Sequence, residues 1–354
     1  MRVLITGGAG FVGGNLAIGL AGAHPDWEIV ALDNLHRRGS ELNLPRLEAA
    51  GVGFARGDVR SPDDLAAAGP VDALVECSAE PSVLAGVGES PDYVVHTNLV
   101  GAYNCLEHCR RHDAQLVFLS TSRVYPVRHL RALALEESET RFVVARDQAL
   151  PGISAEGIAE TFPLDGARTF YGATKLAAEL LVAEHRETYG VRAVVDRFGV
   201  IAGPWQMGRV DQGIVAHWVI AHHFGRPLQY LGFGGSGKQV RDVLHVADVV
   251  TLIDRQLQEP ERWDGVVANA GGGLERSLSL RELTDLCREL TGRETRVDGD
   301  GADRPGDVPL YVSDQRKLEG LTDWRPQRDV RTIVADVAAW VDDNAGDLAR
   351  LHAA

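Results

Sequence analysis

Near its start the chain reads Val3-Leu4-Ile5-Thr6-Gly7-Gly8-Ala9-Gly10-Phe11-Val12-Gly13-Gly14, which joins an apolar strand to a glycine turn and a helix. Gly7 lets the chain turn off the strand, Gly10 lets backbone approach a pyrophosphate, and Gly13 lets the helix lie close to the sheet. The N–H groups and dipole at the start of the helix attract phosphate. This placement predicts a dinucleotide site. The predicted contacts are Gly7, Gly10, Phe11, Val12 and Gly13.

The bulk properties limit the classes of protein to consider. The 354 residues can form one large α/β domain or two lobes. A net charge of −14 argues against nucleic acid and anionic membrane as partners. No apolar run approaches the roughly 20 residues that cross a bilayer, and no signal peptide is visible. The four cysteines have no metal-like spacing and suit a reducing compartment. We expect a cytoplasmic protein without a metal site.

Short apolar strands alternate with helical patterns in the first half of the chain. We predict strands at 2–6, 28–32, 52–56, 72–78 and 115–120, and helices at about 11–22, 61–68 and 91–112. This alternation is typical of an α/β fold, a Rossmann-type doubly wound parallel sheet. We expect an NAD-binding domain at 1–190, with a long insertion at 126–169 and a return at 238–257. The smaller substrate-binding lobe is expected at 191–354.

The second strand ends in Asp33, about 20 residues after the glycine loop. A carboxylate there binds the adenosine ribose hydroxyls and repels a 2′-phosphate, which favours NAD over NADP. Arg37 and Arg38 are the opposing signal, since basic residues beyond that strand can hold a 2′-phosphate. Further candidate cofactor contacts are Asn34, Asp58 and Val59. For Asp58 the alternative is a helix cap for the segment that begins at Ser61.

The fourth strand leads into Ser78 and Ala79, small residues that let a cofactor lie across the end of the strand. Glu80 follows, where nicotinamide and substrate should meet. We consider Glu80 and Ser82 as substrate contacts, with an exposed loop residue as the alternative for Glu80.

The fifth strand ends in Ser120 and Thr121, hydroxyls at the ligand edge of an open sheet. Tyr171 and Lys175 are four residues apart on a predicted helix, so both project from one face. A free tyrosine has a pKa of about 10 and is a poor base at neutral pH. A lysine ammonium and a positive nicotinamide nearby favour the phenolate. Thr121 can share a hydrogen bond with the substrate hydroxyl that is oxidised. Ser120, Tyr171 and Lys175 are also candidate cofactor contacts.

The glycine loop, Asp33, Thr121 and the Tyr-x-x-x-Lys pattern together resemble the extended short-chain dehydrogenase/reductases that act on nucleotide sugars. The resemblance covers nearly the whole chain. It implies a catalytic triad of Thr121, Tyr171 and Lys175, and it places Asn98 on a helix near the cofactor. NAD and a nucleotide sugar are the ligands that it implies.

The reaction class is narrowed by the two residues after Thr121. Family 4,6-dehydratases have an Asp-Glu pair there, and nucleotide-uronate decarboxylases keep a Glu, whereas this chain has Ser122 and Arg123. Elimination and decarboxylation are therefore disfavoured, which leaves epimerisation. Several stretches resemble the family's CDP-sugar 2-epimerases. They are Asp33-Asn34-Leu35, Glu139-Thr140-Arg141, Asp211-Gln212-Gly213 and Gly237–His245, together with the fifty-residue interval between Thr121 and Tyr171. We interpret 126–169 as a wall or lid over the sugar.

The chain also departs from the family pattern at three positions. Val200 stands where the family has an Asn that holds the diphosphate. Ala202 stands in place of a Tyr, and Trp205 in place of an Arg. Other residues of this chain must therefore contact the diphosphate. Substrate candidates in the second half are Arg123, Trp205, Gln206, Gln239, Arg241 and Arg304. Core packing is the alternative for Trp205, and a surface charge is the alternative for Arg241 and Arg304.

The resemblance implies an NAD-dependent nucleotide-sugar epimerase that inverts C2 of a CDP-linked hexose or deoxyhexose. The route would be transient oxidation to a keto sugar and hydride return, with tightly bound, recycled NAD. A 4-epimerase or a reductase of the same family is the first alternative. A non-catalytic dinucleotide-sensing module is the second. By analogy with the family we also expect a homodimer or higher homo-oligomer, paired through helices 91–112 and 171–187.

Overall fold

The structure is a computed structural model, and it describes residues 1–208, 212–302 and 306–352. The strands among them are β1 Arg2–Thr6, β2 Glu28–Asp33, β3 Gly53–Arg56, β4 Ala73–Glu76, β5 Gln115–Thr121, β6 Leu135–Glu137, β7 Phe142–Val144, β8 Ile153–Ser154, β9 Gly157–Ile158, β10 Ala193–Phe198, β11 Val200–Ala202, β12 Leu228–Leu231, β13 Val240–His245, β14 Val267–Ala270, β15 Ser277–Ser279, β16 Val297–Asp300 and β17 Leu310–Tyr311.

The α-helices are α1 Phe11–Ala23, α2 Leu44–Ala49, α3 Pro62–Ala67, α4 Asp92–Val95, α5 Gly101–His112, α6 Val127–Arg131, α7 Phe170–Tyr189, α8 Ile214–Phe224, α9 Val246–Gln258, α10 Pro260–Trp263, α11 Leu280–Thr291, α12 Arg316–Leu321, α13 Val330–Asp343 and α14 Ala345–His352. A π-helical segment, His96–Val100, joins α4 to α5. The predicted helix over 91–112 is therefore one helical run with a wider turn in its middle. None of the helices described is long and apolar enough to cross a membrane.

The main sheet has seven strands in the order β14-β10-β5-β4-β1-β2-β3. The pairs from β3 across to β5 are parallel, with Val3 opposite Ile29 on one side and Ala73 on the other. Buried aliphatic side chains line the central strands, as expected when helices cover both faces of a sheet. The Rossmann-type parallel sheet predicted from the sequence is confirmed.

The chain divides into two compact units. The first unit comprises 1–121, 170–197 and 249–267, and the second comprises 122–169, 198–248 and 268–354. The chain thus re-enters the first unit at 249–267, a segment that begins later than the return predicted at 238–257. Thr121 and Phe170 are the points where the chain leaves and rejoins the first unit.

The second unit is built around the strands β11, β13, β15 and β17 and a cluster of helices. Buried side chains of α8, α11 and α13 pack together with β13. Helix α11 begins with a capping box, in which the Ser279 hydroxyl accepts from Glu282 N and Glu282 accepts from Ser279 N. The cap explains why this helix begins at Leu280.

The long insertion contains two short hairpins, β6–β7 and β8–β9, which belong to the second unit. The first is held at several points. Arg141 Nε donates to Glu282 at 2.8 Å and Arg141 Nη1 donates to Ser277 Oγ at 3.0 Å. Lys238 Nζ lies 2.8 Å from Glu137 Oε1, and Phe142 N donates to Lys238 O. These bonds fix the hairpin as part of its unit.

Candidate active site

The glycine loop closes tightly between β1 and α1. Gly7 has φ +63°, and a Cβ on it would lie 2.9 Å from Cys77 O. A Cβ on Gly13 would lie 2.3 Å from Gly7 O, so the helix packs against the turn itself. A Cβ on Gly8 would lie 2.6 Å from Ala31 Cβ, a constraint that sequence reasoning missed. Gly10 caps α1 without a side-chain hydrogen bond, so no side chain of the loop covers the positive end of the helix.

Asp33, at the end of β2, is tied to this loop. Its carboxylate accepts from Ala9 N at 3.1 Å and from Leu35 N at 2.8 Å. Burial raises the pKa of Asp33, and the two backbone hydrogen bonds partly offset that effect. Asn43 donates to Ala9 O at 2.8 Å and so holds the following peptide group of the same residue. A carboxylate and an amide therefore fix the loop from two sides, and sequence reasoning identified only the carboxylate.

Asp58 follows β3 and does not cap the next helix, because Ser61 caps α3 with its own side chain. Instead it accepts from Asn34 Nδ2 at 2.9 Å and from Arg60 Nη2 at 2.6 Å. The Arg60 guanidinium holds the pKa of Asp58 well below its usual range. Arg60 also stacks over the ring of Tyr93, 5.0 Å from its centroid. The helix-cap alternative for Asp58 is thus replaced by an ionic cluster that sequence reasoning did not include.

The neighbouring Val59 is buried in the core of the first unit, and its carbonyl accepts from Asn104 Nδ2 at 2.8 Å. Its side chain is thus committed to packing, since a Cβ on Gly101 would lie only 2.7 Å from it. A cofactor contact from Val59 would have to come from its backbone.

The loop after β4, which holds Ser78 and Ala79, is clamped by Asn98. Asn98 Oδ1 accepts from Glu80 N at 2.8 Å, and Nδ2 donates to Glu80 O at 3.0 Å and to Thr174 Oγ1 at 3.3 Å. Asn98 lies in the π-helical segment, a feature frequent at functional sites. The Glu80 carboxylate accepts from Ser82 N at 3.0 Å and so shapes its own loop.

Three candidate catalytic residues lie in the first unit. Thr121 ends β5 and is 7% exposed. Tyr171 lies in the first turn of α7 and is half-buried, and Lys175 is buried one turn later. Lys175 Nζ lies 2.8 Å from Glu76 Oε2 at the end of β4, and 4.5 Å from the centroid of the Phe118 ring. Sequence reasoning missed Glu76, because the two partners are 99 positions apart.

A second buried ion pair lies one turn further along α7. Arg197 Nη2 donates to Glu179 at 2.7 Å, and Ser120 Oγ donates to Glu179 Oε1 at 2.5 Å. Glu179 is eight residues after Tyr171, so it shares the helix face of Tyr171 and Lys175. That spacing was the signal that could have identified it. Ser120, proposed as a cofactor contact, is already engaged by this carboxylate.

Most of the proposed substrate residues lie in the second unit. Arg123 Nη1 donates to Gly306 O at 3.0 Å. Arg241 lies within strand β13, where its guanidinium pairs with Asp307 at 2.8 Å and donates to Val308 O at 2.7 Å. Burial lowers the pKa of Arg241, and Asp307 opposes that effect. Arg304 and Asp211 lie outside the described residues.

Trp205 has φ +71° and packs against the core of the second unit, 5.8 Å from the Trp340 ring. This arrangement agrees with the packing alternative. Gln206 Nε2 donates to Ile201 O at 3.0 Å, and Gln239 Nε2 donates to Leu231 O at 3.1 Å. The Oε1 atoms of both glutamines are buried without a hydrogen-bond partner among the described residues. Among those residues no cluster of His, Cys, Asp and Glu has the arrangement of a metal site.

Comparison with known proteins places this arrangement in a family. The chain is 29% identical to CDP-paratose 2-epimerase of Salmonella typhi over 351 residues, which cover 96% of the chain and 99% of the relative. It is 30% identical to dTDP-glucose 4,6-dehydratase of Mycolicibacterium smegmatis, with coverages of 97% and 94%. The structure superposes on the NAD complex of UDP-glucose 4-epimerase from Thermus thermophilus with a TM-score of 0.77, 27% identity and coverages of 97% and 99%.

A family model matches residues 3–271 and carries the description NAD dependent epimerase/dehydratase family. The match includes the glycine loop, Asp33, Thr121, Tyr171 and Lys175, so the resemblance predicted from the sequence is confirmed. NAD is the family's cofactor, and the relatives include both epimerases and dehydratases of nucleotide sugars. The chain belongs to the NAD dependent epimerase/dehydratase family.

Proposed function

We propose that this protein is an NAD-dependent nucleotide-sugar epimerase that inverts C2 of a CDP-linked hexose or deoxyhexose. One observation carries the proposal. Thr121 ends β5 in the same unit as Tyr171 and Lys175, which share a face of α7. A hydroxyl, a phenol and an ammonium are the groups that oxidation of a sugar alcohol needs.

The first unit fits NAD by its own geometry. The loop from Gly7 to Gly13 has no space for a Cβ at either glycine, and the start of α1 has no side-chain cap. The tight turn and the uncapped start of the helix provide positive potential for a pyrophosphate. Asp33 would hold the adenosine ribose, and Lys175 would hold the nicotinamide ribose. When bound, NAD accepts a hydride from the sugar carbon and returns it.

The chain's own residues handle the proton. Tyr171 as phenolate takes the proton from the sugar hydroxyl, and Thr121 hydrogen-bonds to the same oxygen. Lys175 stabilises the phenolate through its charge. The keto sugar then rotates in the site, so that the hydride returns to its other face. Tyr171 returns the proton to the same oxygen. No net oxidation results, so we propose that NAD stays bound and purifies with the protein.

The residues after Thr121 favour epimerisation over elimination. Elimination of water needs an acid near the leaving hydroxyl, and Ser122 and Arg123 supply no carboxyl group. Arg123 instead donates to Gly306 O. This supports an epimerase although the relatives include dehydratases at similar identity.

The second unit offers hydrogen-bond acceptors for a nucleotide sugar, with which the proposed cytidine nucleotide is compatible. Gln206 Oε1 and Gln239 Oε1 are buried acceptors that no described residue satisfies. A ligand that donates hydrogen bonds would satisfy them, because an unpaired buried acceptor costs about 1–3 kcal/mol. The cytosine amino group and the sugar hydroxyls are such donors. The fixed hairpin β6–β7 supports a wall rather than a lid over the sugar.

We propose further that the protein is a cytoplasmic homodimer or higher homo-oligomer. All four cysteines are free thiols, which supports a reducing compartment. Tyr103 on α5 and Leu180 and Tyr189 on α7 are exposed apolar side chains, 44%, 64% and 58% accessible. These two helices are neighbours in the first unit and would provide the contact between subunits.

The proposal is tested by incubating the purified protein with CDP-, UDP-, GDP- and dTDP-hexoses in D₂O and following the products by NMR. We expect a C2 epimer of a CDP-sugar that carries no deuterium at C2, because the hydride returns directly. Deuterium at C2 would contradict hydride return and indicate proton abstraction. A C4 epimer or a reduced product would favour the first alternative.

Tyr171→Phe is the matched variant, since it removes one hydroxyl from the site. We expect at least about 100-fold slower epimerisation, in the range of lost general acid–base catalysis. A protein that turns over no sugar, and whose cellular role survives Tyr171→Phe, would instead be a dinucleotide-sensing module.

A further inference from the structure

The lysine that should stabilise the Tyr171 phenolate has a charged partner of its own. Lys175 Nζ lies 2.8 Å from Glu76 Oε2, and the two side chains are only 3% and 1% exposed. Glu76 is the last residue of β4, so it sits at the carboxyl edge of the sheet, where ligands bind in open α/β folds. Its other oxygen, Oε1, has no hydrogen-bond partner among the described residues.

The groups around this pair are otherwise neutral or paired. Cys77 on the following turn and Cys105 on α5 interact with both charges, and burial raises the pKa of each thiol, so both stay protonated at neutral pH. Glu179, one turn along α7, is neutralised by Arg197. Burial raises the pKa of Glu76, and the charge of Lys175 opposes that effect. Burial alone lowers the pKa of Lys175, but the charges of Glu76 and Tyr171 outweigh it and the net direction is upward.

We propose that Glu76 is the counter-ion that limits how strongly Lys175 favours the phenolate of Tyr171. The inference rests on the proposed function. An isolated ammonium one turn from the phenol would stabilise phenolate strongly in a buried site. A carboxylate 2.8 Å from that ammonium converts the single charge into a dipole, whose field falls off faster with distance. Glu76 is therefore a positioning residue that acts on Tyr171 through Lys175.

The charge and the shape of Glu76 can be separated by two variants. Glu76→Gln keeps the length and an oxygen acceptor for Lys175 but removes the charge. Glu76→Asp keeps the charge but shortens the arm. Each variant, loaded with NAD, is titrated with pH while the ultraviolet phenolate difference spectrum is recorded. The spectrum of the same variant carrying Tyr171→Phe is subtracted, so the remaining signal belongs to Tyr171.

In Glu76→Gln we expect the phenolate midpoint to move to lower pH by on the order of one unit, because Lys175 is no longer compensated. Glu76→Asp should keep a midpoint near that of the wild type. Asp196→Asn removes another buried carboxyl of the same sheet, and its midpoint should not move. An unmoved or higher midpoint in Glu76→Gln overturns the proposal. So do equal shifts in Glu76→Gln and Glu76→Asp, which would indicate geometry rather than charge.

If Glu76→Gln does not fold, the neutral pair Glu76→Gln/Lys175→Met replaces it, because neither charge then remains buried alone. The proposal predicts a midpoint less than about one unit above the wild-type one, because Glu76 offsets most, but not all, of the stabilisation that Lys175 gives the phenolate. A midpoint at least one unit higher overturns it, because Lys175 would then have acted uncompensated. If the wild type turns over a sugar but the phenolate midpoint does not move in Glu76→Gln, only this inference is contradicted and the proposed function stands. The absence of any Tyr171-dependent signal in the wild type contradicts the proposed function as well.

Discussion

Asp196 on β10 is fully buried, and only one of its two carboxyl oxygens has a hydrogen-bond partner among the described residues. Gln256 Nε2 donates to Oδ1 at 3.0 Å, and Oδ2 has no partner among the described residues. Burial raises the pKa of Asp196 to about 7, and the Gln256 bond only partly opposes that. In the unfolded chain the pKa of an aspartate is about 3.9. The protonated form therefore stabilises the fold below about pH 4, and this contribution is lost as the pH rises to about 7.

We accordingly predict that Asp196→Asn is more favourable to stability, relative to the wild type, at pH 8 than at pH 4. The difference from wild type in the free energy of unfolding should grow by on the order of 3 kcal/mol between these pH values. Chemical denaturation at a series of pH values measures it. Asp26→Asn, an exposed change, is the control and should show no such growth. A difference for Asp196→Asn that is the same at both pH values would contradict the prediction.

At the scale of residues, the sequence was sufficient to predict which side chains share one loop or one helix face. Gly7, Gly13, Tyr171 and Lys175 were all assigned from their separation along the chain. Their partners were not, because a partner such as Glu76 is determined by which strand lies beside which helix. Arg241 shows the same limit, since its pairing with Asp307 depends on the register of β13 in the second unit.

Two of the four glycines in helix α1, Gly13 and Gly22, have completely different surroundings. A Cβ on Gly13 would lie 2.3 Å from Gly7 O, a backbone atom, whereas a Cβ on Gly22 would have nothing within 4 Å. We predict that Gly13→Ala distorts the loop and reduces NAD affinity at least about tenfold. Gly22→Ala should bind NAD normally and should be more stable by about 0.5–1 kcal/mol, the helix preference of alanine.

Calorimetric titration of NAD-free protein measures the affinity, and urea denaturation measures the stability. Unchanged NAD affinity in Gly13→Ala would show that the loop tolerates displacement. Equal losses in both variants would show that helix packing, rather than the loop, is what the substitutions disturb.

At the scale of elements, the first five strands lie within two residues of the predicted ones. Strands buried on both faces give continuous apolar runs that end at polar or glycine residues, so their limits are visible in the sequence. The hairpins β6–β7 and β8–β9 could not be predicted, because their strands have only two or three residues. Long-range bonds such as Arg141 to Glu282 hold them instead.

For the whole molecule, the exposed apolar side chains of α5 and α7 predict self-association. Leu180 is 64% exposed on α7, the helix on which His185 is in ring contact with Tyr189 and with Tyr103 of α5. We predict that Leu180→Asp converts the assembled protein to a smaller species, since it would bury a charge in the interface. Size-exclusion chromatography with light scattering measures the mass. Leu274→Asp, another exposed leucine but in the second unit, should leave the mass unchanged. A wild-type monomer would contradict the prediction directly.

At the same scale, the sequence predicted one dinucleotide-binding part and one further part, but not how the chain is shared between them. The first unit takes three separate segments, and a helical pattern does not reveal to which unit its helix belongs. The segment 249–267 illustrates this, because α9 is continuous in sequence with β13, which lies in the second unit.

The double attachment of Asp33 has a consequence for the redesign of cofactor preference. A switch from NAD to NADP is usually sought by replacing the acid that faces the ribose with a small neutral residue. Here the same oxygens accept from Ala9 N and Leu35 N, so that exchange would also release the glycine loop. Selectivity and loop shape therefore cannot be altered independently at this position. A successful redesign would first have to give the Ala9 amide another acceptor.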